Sequence, residues 1–359
     1  MTEALANSGE ILDEVPSRTV TLDDIPESCG WDKKVMPTGW FQVAWSDEIA
    51  PGDVRPMKYF KKDLVLYRTA DGRAIVLSAF CPHMGAHLGH GGHVSGDAIV
   101  CPYHGWEWGC DGRNKLVPSD GAPSGSNRVL KTYVTAETNG CIWVWHDALE
   151  RAPMWEHPRE YRSDADYLPV WPHAAKMTKF RGQPQWVAEN VVDIDHLLFV
   201  HKSKVIPVLH KDRSPIEYQV DGPIWRNIRE HPLQSSHTEG VGVQVITVPQ
   251  DPAQPRRLPS VLIAGVTPID DEYSDFRHTN LVPQDKEVEG GDGDVPVGRA
   301  AKRIATMFEQ GTRDMPIWSN MNYLNRPAYA SSEVVFRRFR RFCEQFYPDV
   351  PEKAKVKEC

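Results

Sequence analysis

The sequence predicts an α+β fold, with an all-β first half and a second half in which helices cover one side of an antiparallel sheet. Short apolar or alternating runs, separated by Gly, Pro and Asp-Gly turns, fill the first half. In the second half, similar runs lie between segments with helical periodicity. The length of 359 residues is also sufficient for two domains.

Composition and charge narrow the class of protein. The net charge of −8 argues mildly against nucleic acid or an anionic membrane as a partner. The polar, acidic N-terminus lacks the pattern of a signal peptide, and the apolar runs are too short to span a bilayer. Seven dispersed cysteines indicate reduced thiols and metal ligands. We therefore expect a cytoplasmic protein with no nucleic-acid or membrane partner.

The first half is predicted to contain an N-terminal arm at 1–35 and an all-β domain at 36–150. A proline-containing connection follows at 151–175. Five runs of the β domain are predicted as strands: FQVAW (41–45), MKYF (57–60), DLVLYRT (63–69), AIVLSAF (74–80) and CIWVW (141–145).

The second domain is predicted at 176–347, before a short tail at 348–359. A first helix is expected near 185–200, and a polar loop at 287–298. Strands are expected around 215–230, 240–249, 258–267 and 273–283, and later helices at 299–322 and 333–346.

Two cysteine–histidine pairs predict the first metal site. Cys81 and His83 form C-x-H, and Cys101 and His104 form C-x-x-H; each pair follows an apolar run. Two thiolates and two imidazoles are the ligand set of a Rieske [2Fe–2S] cluster. Structural zinc is the alternative, but the interleaved ligand order favours the cluster. Three nearby histidines are predicted to be exposed loop residues: His87, His90 and His93.

His196 and His201 predict a second metal site. Their five-residue spacing corresponds to about 140° on an ideal helix, so the two side chains would not share one face. We therefore predict that the helix ends or is distorted between them. Two histidines and one carboxylate form the facial triad of non-heme Fe(II) oxygenases.

The carboxylate must come from elsewhere in the chain. Later candidates include Asp270, Asp271, Asp275, Asp285, Asp292, Asp294 and Asp314. Asp314 stands out because it lies on a mostly apolar helix face that repeats as Met307, Gly311, Asp314 and Trp318. Glu309 and Arg313 are predicted to point away from this face. The alternative for Asp314 is a partly exposed residue near a helix bend.

These motifs together resemble the oxygenase α subunits of Rieske non-heme iron ring-hydroxylating enzymes, over about residues 36–347. The strings NVVDIDHLLFVH, RDMPIW and FRRFCEQFYPD are similar to the 3-ketosteroid 9α-hydroxylase oxygenase type. Pro82 and Gly105 follow the wider family, since that group tends to have Arg and Asp there.

The resemblance implies a helix-grip catalytic domain with an apolar pocket, a [2Fe–2S] cluster, Fe(II) and O₂. It also implies a homotrimer, and a ferredoxin and/or flavin reductase that delivers electrons from NAD(P)H. Asp193 matches the family's bridging carboxylate, which would connect His196 to His104 of the partner subunit.

The predicted function is that of a terminal oxygenase component, acting as a monooxygenase on a small apolar substrate, steroid-like or aromatic, in aromatic or steroid catabolism. O- or N-dealkylation, cis-dihydroxylation and desaturation would use the same metals. A Rieske electron carrier and a steroid-binding module are the alternatives from other classes. The expected pocket includes the strands at 240–249 and 258–267 and these residues: Glu189, Asn190, Val192, Leu197, Leu198 and Phe199.

Overall fold

The computed structural model describes residues 33, 35–162, 167–168, 176–193, 195–202, 217–228, 235–288, 295–330 and 333–349. Parts of the predicted arm (1–32 and 34), connection (163–166 and 169–175), polar loop (289–294) and tail (350–359) lie outside these residues. Residues 321–328, which contain no helix or strand, belong to a separate compact unit from residues 33–320 and 329–349. The described part confirms the predicted α+β class.

The first half is built from antiparallel strands, as predicted. The strands are β1 Gly39–Trp45, β2 Val54–Tyr59, β3 Lys62–Arg68, β4 Ala74–Ser78, β5 His93–Ser95, β6 Ala98–Val100, β7 Glu107–Trp108, β8 Asn114–Leu116, β9 Thr132–Tyr133, β10 Thr135–Thr138 and β11 Cys141–His146. They form sheets of order β1-β11-β10, β2-β3-β4-β9 and β5-β6-β7-β8.

The second half has one antiparallel sheet and several helices. Its strands are β12 Lys176–Arg181, β13 Glu217–Asp221, β14 Ile224–Ile228, β15 Ser235–Glu239, β16 Val243–Val248, β17 Ser260–Pro268 and β18 Tyr273–Leu281. The sheet order is β12-β18-β17-β16-β15-β14-β13. The helices are α1 Pro184–Ala188, α2 His196–Phe199, α3 Gly298–Arg313, α4 Met315–Asn320 and α5 Val334–Glu344.

Several predicted elements are divided in the structure. The segment 215–230 contains a hairpin, β13–β14, because Gly222 adopts φ +54° at its turn. The helix expected at 185–200 is split into α1, a 3₁₀ turn at Glu189–Val191 and α2. The helix expected at 299–322 is split into α3 and α4, and Asp314 caps the first. Strands β12 and β15 were not predicted.

The large sheet uses its two faces differently, because side chains alternate along each strand. On β16 and β17, one set of side chains packs in a core with tryptophans of the first-half strands. This core contains Val243, Val245, Val261, Ile263, Trp40, Trp45 and Trp143. The intervening side chains line a cavity on the opposite face: Gln244, Ile246, Leu262 and Ala264.

A buried polar network also joins the two halves of the chain. Arg277 on β18 donates to the carbonyl oxygens of Gln42 and Val43, at 3.0 and 2.8 Å. It also donates to the hydroxyl of Tyr59 at 2.9 Å, and that hydroxyl donates to Asp275 at 2.6 Å. Each of these polar groups therefore has a partner, as burial requires. No helix of the described chain has both the length and the apolar character to cross a bilayer.

Candidate metal centres and substrate cavity

Two matching turns present the cysteine–histidine pairs. In the first, the Cys81 amide donates to the Ala86 carbonyl at 2.8 Å, and the Gly85 amide donates to the Cys81 carbonyl at 2.9 Å. The second turn has the same two bonds: the Cys101 amide donates to the Trp106 carbonyl at 2.9 Å, and the Gly105 amide donates to the Cys101 carbonyl at 3.0 Å. Gly85 and Gly105 have φ of +77° and +70°, which an L side chain rarely adopts. The two loops therefore hold their ligands in equivalent positions.

The four side chains of these loops fit a Rieske cluster. Cys81 and Cys101 are buried, unbridged thiols, whereas His83 and His104 are exposed and their rings lie 4.7 Å apart. Burial raises the pKa of the Cys81 thiol, and the adjacent Cys101 raises it further. Two thiols and two imidazoles held together in this way match the donors of a [2Fe–2S] cluster of this type. His83 also stacks on Trp106 at 4.3 Å.

The other three predicted ligands are brought together around one point. One potential ligand atom each from His196, His201 and Asp314 lies within 4.8 Å of the others. Helix α2 ends at Phe199, between the two histidines, as predicted from their spacing. His201 Nε2 lies 3.2 Å from Asp314 Oδ2, and Asp314 is only 7% exposed. This donor set fits ferrous iron.

The residues around this triad orient it. Asp193 Oδ1 lies 3.6 Å from Nδ1 of His196 and accepts a hydrogen bond of 3.3 Å from its backbone amide. Burial opposes ionisation of both groups, but each favours the charged form of the other; the pKa of Asp193 is lowered and that of His196 is raised. Arg313, which does not line the cavity, donates to the His201 carbonyl at 3.1 Å. It also pairs with Glu309.

A cavity of about 460 Å³ opens onto all three potential iron ligands. This volume is in the range of small-molecule sites. Strands β16–β18 form one wall, and α3 and α4 form another. Its apolar lining includes Val187, Val191, Leu197, Ile246, Val248, Leu262, Ala264, Phe276, Met307 and Trp318.

Only some of the residues that the sequence predicted for the pocket line the cavity. Leu197, Asn190 and both predicted strands line the cavity. Val192 instead packs in the core with α5, and Phe199 is 73% exposed. Glu189 is bound to Arg340 at 2.8 Å, so it has a structural partner.

Several polar lining residues were missed by the sequence reasoning, among them Gln244, Arg257, His278 and Arg303. His278 is 1% exposed, and neither ring nitrogen has a hydrogen-bond partner. Burial lowers its pKa to about 4, so it is neutral at pH 7. Two of them could have been found from sequence. His278 is two residues after Phe276 on the same strand, and Arg303 is four residues before Met307 on the same helix, so each shares a face with a residue that lines the cavity.

Comparisons with known proteins assign a family to each half of the chain. Residues 39–134 match the family Rieske [2Fe-2S] domain, and residues 144–347 match 3-Ketosteroid 9alpha-hydroxylase C-terminal domain. The chain is 30% identical over 338 residues to cholesterol 7-desaturase nvd of Bombyx mori, covering 87% of this chain and 70% of that protein. It is 25% identical over 357 residues to a 3-ketosteroid-9-alpha-monooxygenase oxygenase component of Rhodococcus rhodochrous, covering 94% and 90%.

Solved structures share the fold. NdmA of Pseudomonas putida CBB5 is similar with a TM-score of 0.65 and 17% identity, covering 85% of this chain and 88% of NdmA. Dicamba monooxygenase is similar with a TM-score of 0.60 and 18% identity, covering 87% and 97%. The chain therefore belongs to the Rieske oxygenases, oxidoreductases with an N-terminal Rieske [2Fe–2S] domain, and its C-terminal domain is of the 3-ketosteroid 9α-hydroxylase family.

Proposed function

We propose that this chain is the terminal oxygenase component of a multicomponent system that monooxygenates a steroid-like substrate. The observation that carries the proposal is the mostly apolar cavity lined by His196, His201 and Asp314. An electron carrier needs no such cavity, and a binding module needs no buried triad of metal ligands.

The chain's own residues position both reactants. When bound, the [2Fe–2S] cluster would supply single electrons and the ferrous ion would activate O₂. His196, His201 and Asp314 would hold the ion, and the apolar walls would exclude water and hold the substrate carbon nearby. His278, neutral and unpartnered, can bond a substrate oxygen without placing another charge in the cavity.

Steroids are the proposed substrate class, rather than small aromatics. The cavity is mostly apolar, and relatives named for 3-ketosteroids and for cholesterol align with most of the chain. A rigid polycyclic skeleton with few oxygens suits walls of this chemistry, since most of its surface is apolar.

Desaturation is a second candidate reaction, because a cholesterol 7-desaturase is 30% identical to this chain over 338 residues. Both reactions begin at a C–H bond and use the same ligands. They differ in whether oxygen remains in the product.

The assembly and partners are further parts of the proposal. A ferredoxin and/or flavin reductase would supply electrons from NAD(P)H, and a cytoplasmic homotrimer would bring His104 of the partner subunit to Asp193. The exposed ring of His104 and the 32% exposure of the Asp193 side chain support this, because both are accessible. The domain limits at 36–150 and 176–347 belong to the same proposal.

Iron content and isotope incorporation test the function. We expect about three irons per chain, two in the cluster and one in the triad. With a compatible reductase, a 3-ketosteroid and ¹⁸O₂, hydroxylation should place one ¹⁸O atom in the product, whereas desaturation should place none. Zinc in either site, or no steroid-dependent O₂ consumption across a panel of ketosteroids and sterols, would refute the proposal.

A further inference from the structure

The cavity contains two arginines without an acidic partner among the described residues. Arg257 and Arg303 both line it. The guanidinium of Arg303 donates to the hydroxyl of Ser260 at 3.2 and 2.8 Å. Burial, and then the like charge of Arg257, lower its pKa to about 10. Partly buried charges are normally paired, so two adjacent cations without a counter-ion indicate an absent anion.

The arginines lie at the end of the cavity opposite the metal ligands. Arg303 precedes Asp314 by 11 residues along α3, a rise of about 16 Å. The sheet gives the same direction. Ser260 bonds Arg303, and Ala264 pairs with His278, which packs against Gly311. Ser260 and Ala264 are about 13 Å apart along β17, and Arg303 and Gly311 are about 12 Å apart along α3. The helix and the strand therefore run side by side.

Opposite charges are therefore separated along this cavity. The carboxylates that line it, Asp193 and Asp314, lie at the metal end. The wall between the two ends carries no charge among its lining residues. It combines apolar side chains, such as Leu262 on the sheet and Met307 on the helix, with neutral polar ones, such as Thr306 and Gln310. A substrate that fills the cavity thus meets the metal ligands at one end and two cations at the other.

We propose that the substrate carries an anionic oxygen group, such as a carboxylate, at the end remote from the oxidised carbon, and that Arg303 and Arg257 bind this group. The proposal rests on the oxygenase function stated above and specifies its substrate. A planar guanidinium can donate two parallel hydrogen bonds to a carboxylate, which gives orientation as well as affinity. Binding the anion at a fixed distance from the triad would select which skeletal carbon approaches the iron site.

A binding measurement without turnover tests the anion site. The probes are a 3-ketosteroid with a side-chain carboxylic acid and its methyl ester, titrated into the anaerobic holoprotein by calorimetry. We expect the acid to bind about tenfold or more tightly than the ester, with a preference that weakens as salt is raised. Arg303→Gln should remove the preference. Arg256→Gln is the matched control, because Arg256 is exposed and does not line the cavity.

One further variant and one unfolding measurement keep the test independent of folding. Arg303→Lys retains the charge without the planar guanidinium, so it should keep part of the preference for the acid over the ester. Thermal unfolding of Arg303→Gln should occur close to that of the unaltered protein, because removal of a partly buried charge without an acidic partner offsets the loss of the bonds to Ser260. Equal binding of acid and ester, or equal weakening of both by Arg303→Gln, would overturn the anion site.

Product analysis separates this inference from the proposed function. If the acid is preferred but neither probe is oxidised with O₂ and a reductase, the proposed function fails and the anion site stands. If both probes bind equally and are oxidised with equal kcat/KM, the function stands and the anion site fails.

Discussion

Gly311 on α3 lies so close to His278 on β18 that a Cβ atom on residue 311 would be 2.7 Å from His278 Cε1. Gly311 is three residues before Asp314 in the same helix, so the contact sets how deeply the helix carries this carboxylate towards the histidines. The absence of a side chain at position 311 therefore contributes to the geometry of the triad.

Gly311→Ala should displace either α3 or the imidazole. Overpacking of this kind typically costs about 1–3 kcal/mol. We expect loss of the third iron per chain with retention of the cluster, measured by iron analysis and by the visible spectrum. Gly125→Ala is the control, because a Cβ at Gly125 meets nothing within 4 Å. Full iron content in Gly311→Ala would contradict this role for the contact.

Asp193→Ala should leave the visible and paramagnetic spectra of the reduced cluster unchanged and abolish turnover. The carboxylate holds His196, and its removal breaks the bridge proposed between the two metal centres. Asp195→Ala, at an exposed aspartate two residues away, should keep near-normal turnover. Turnover of Asp193→Ala close to that of the unaltered protein would exclude the bridging role.

Stability should depend on pH through His278. Burial lowers its pKa from 6.5 to about 4 in the folded protein. Between these values the unfolded chain binds a proton that the folded chain does not, so stability falls as the pH drops from 6.5 to 4. In His278→Gln, the melting temperature should fall less over this interval, whereas exposed His93→Gln should follow the unaltered protein. Parallel curves for all three proteins would argue against a neutral, buried His278.

Tyr59→Phe tests the polar network between the two halves of the chain. The change removes one acceptor from Arg277 and one donor to Asp275, both buried. We expect a loss of about 1–3 kcal/mol in the free energy of unfolding, measured by denaturant titration. Tyr103→Phe makes the same chemical change at a ring that is 64% exposed and should have little effect on stability. Equal stability of the two variants would show that the network is dispensable.

Patterns local in sequence were predictable. The two cysteine–histidine pairs follow strands directly, and the spacing of His196 and His201 required a helix end between them. The helical periodicity around Asp314 placed it on the buried face. Each of these inferences depends only on residues within a few turns of one another.

Features that depend on distant contacts were not predictable. His278 is an ordinary alternating strand residue until α3 packs over it, and Arg303 resembles a surface charge until Ser260 lies beneath it. The bond from Arg313 to the carbonyl of His201 was not predictable either, because the two residues are 112 positions apart. β15, with the polar sequence SSHTE, carries no apolar pattern, so its place in the sheet depends on pairing with β14 and β16.

The alternation on β16 and β17 has a consequence for directed evolution. Gln244, Ile246, Leu262 and Ala264 face the cavity, whereas their immediate neighbours pack against the tryptophans of the first half. A combinatorial library restricted to these four even-numbered positions can alter substrate scope while the interface on the reverse side keeps its packing. The odd-numbered positions should tolerate far fewer replacements, so tolerance along each strand should oscillate with a period of two.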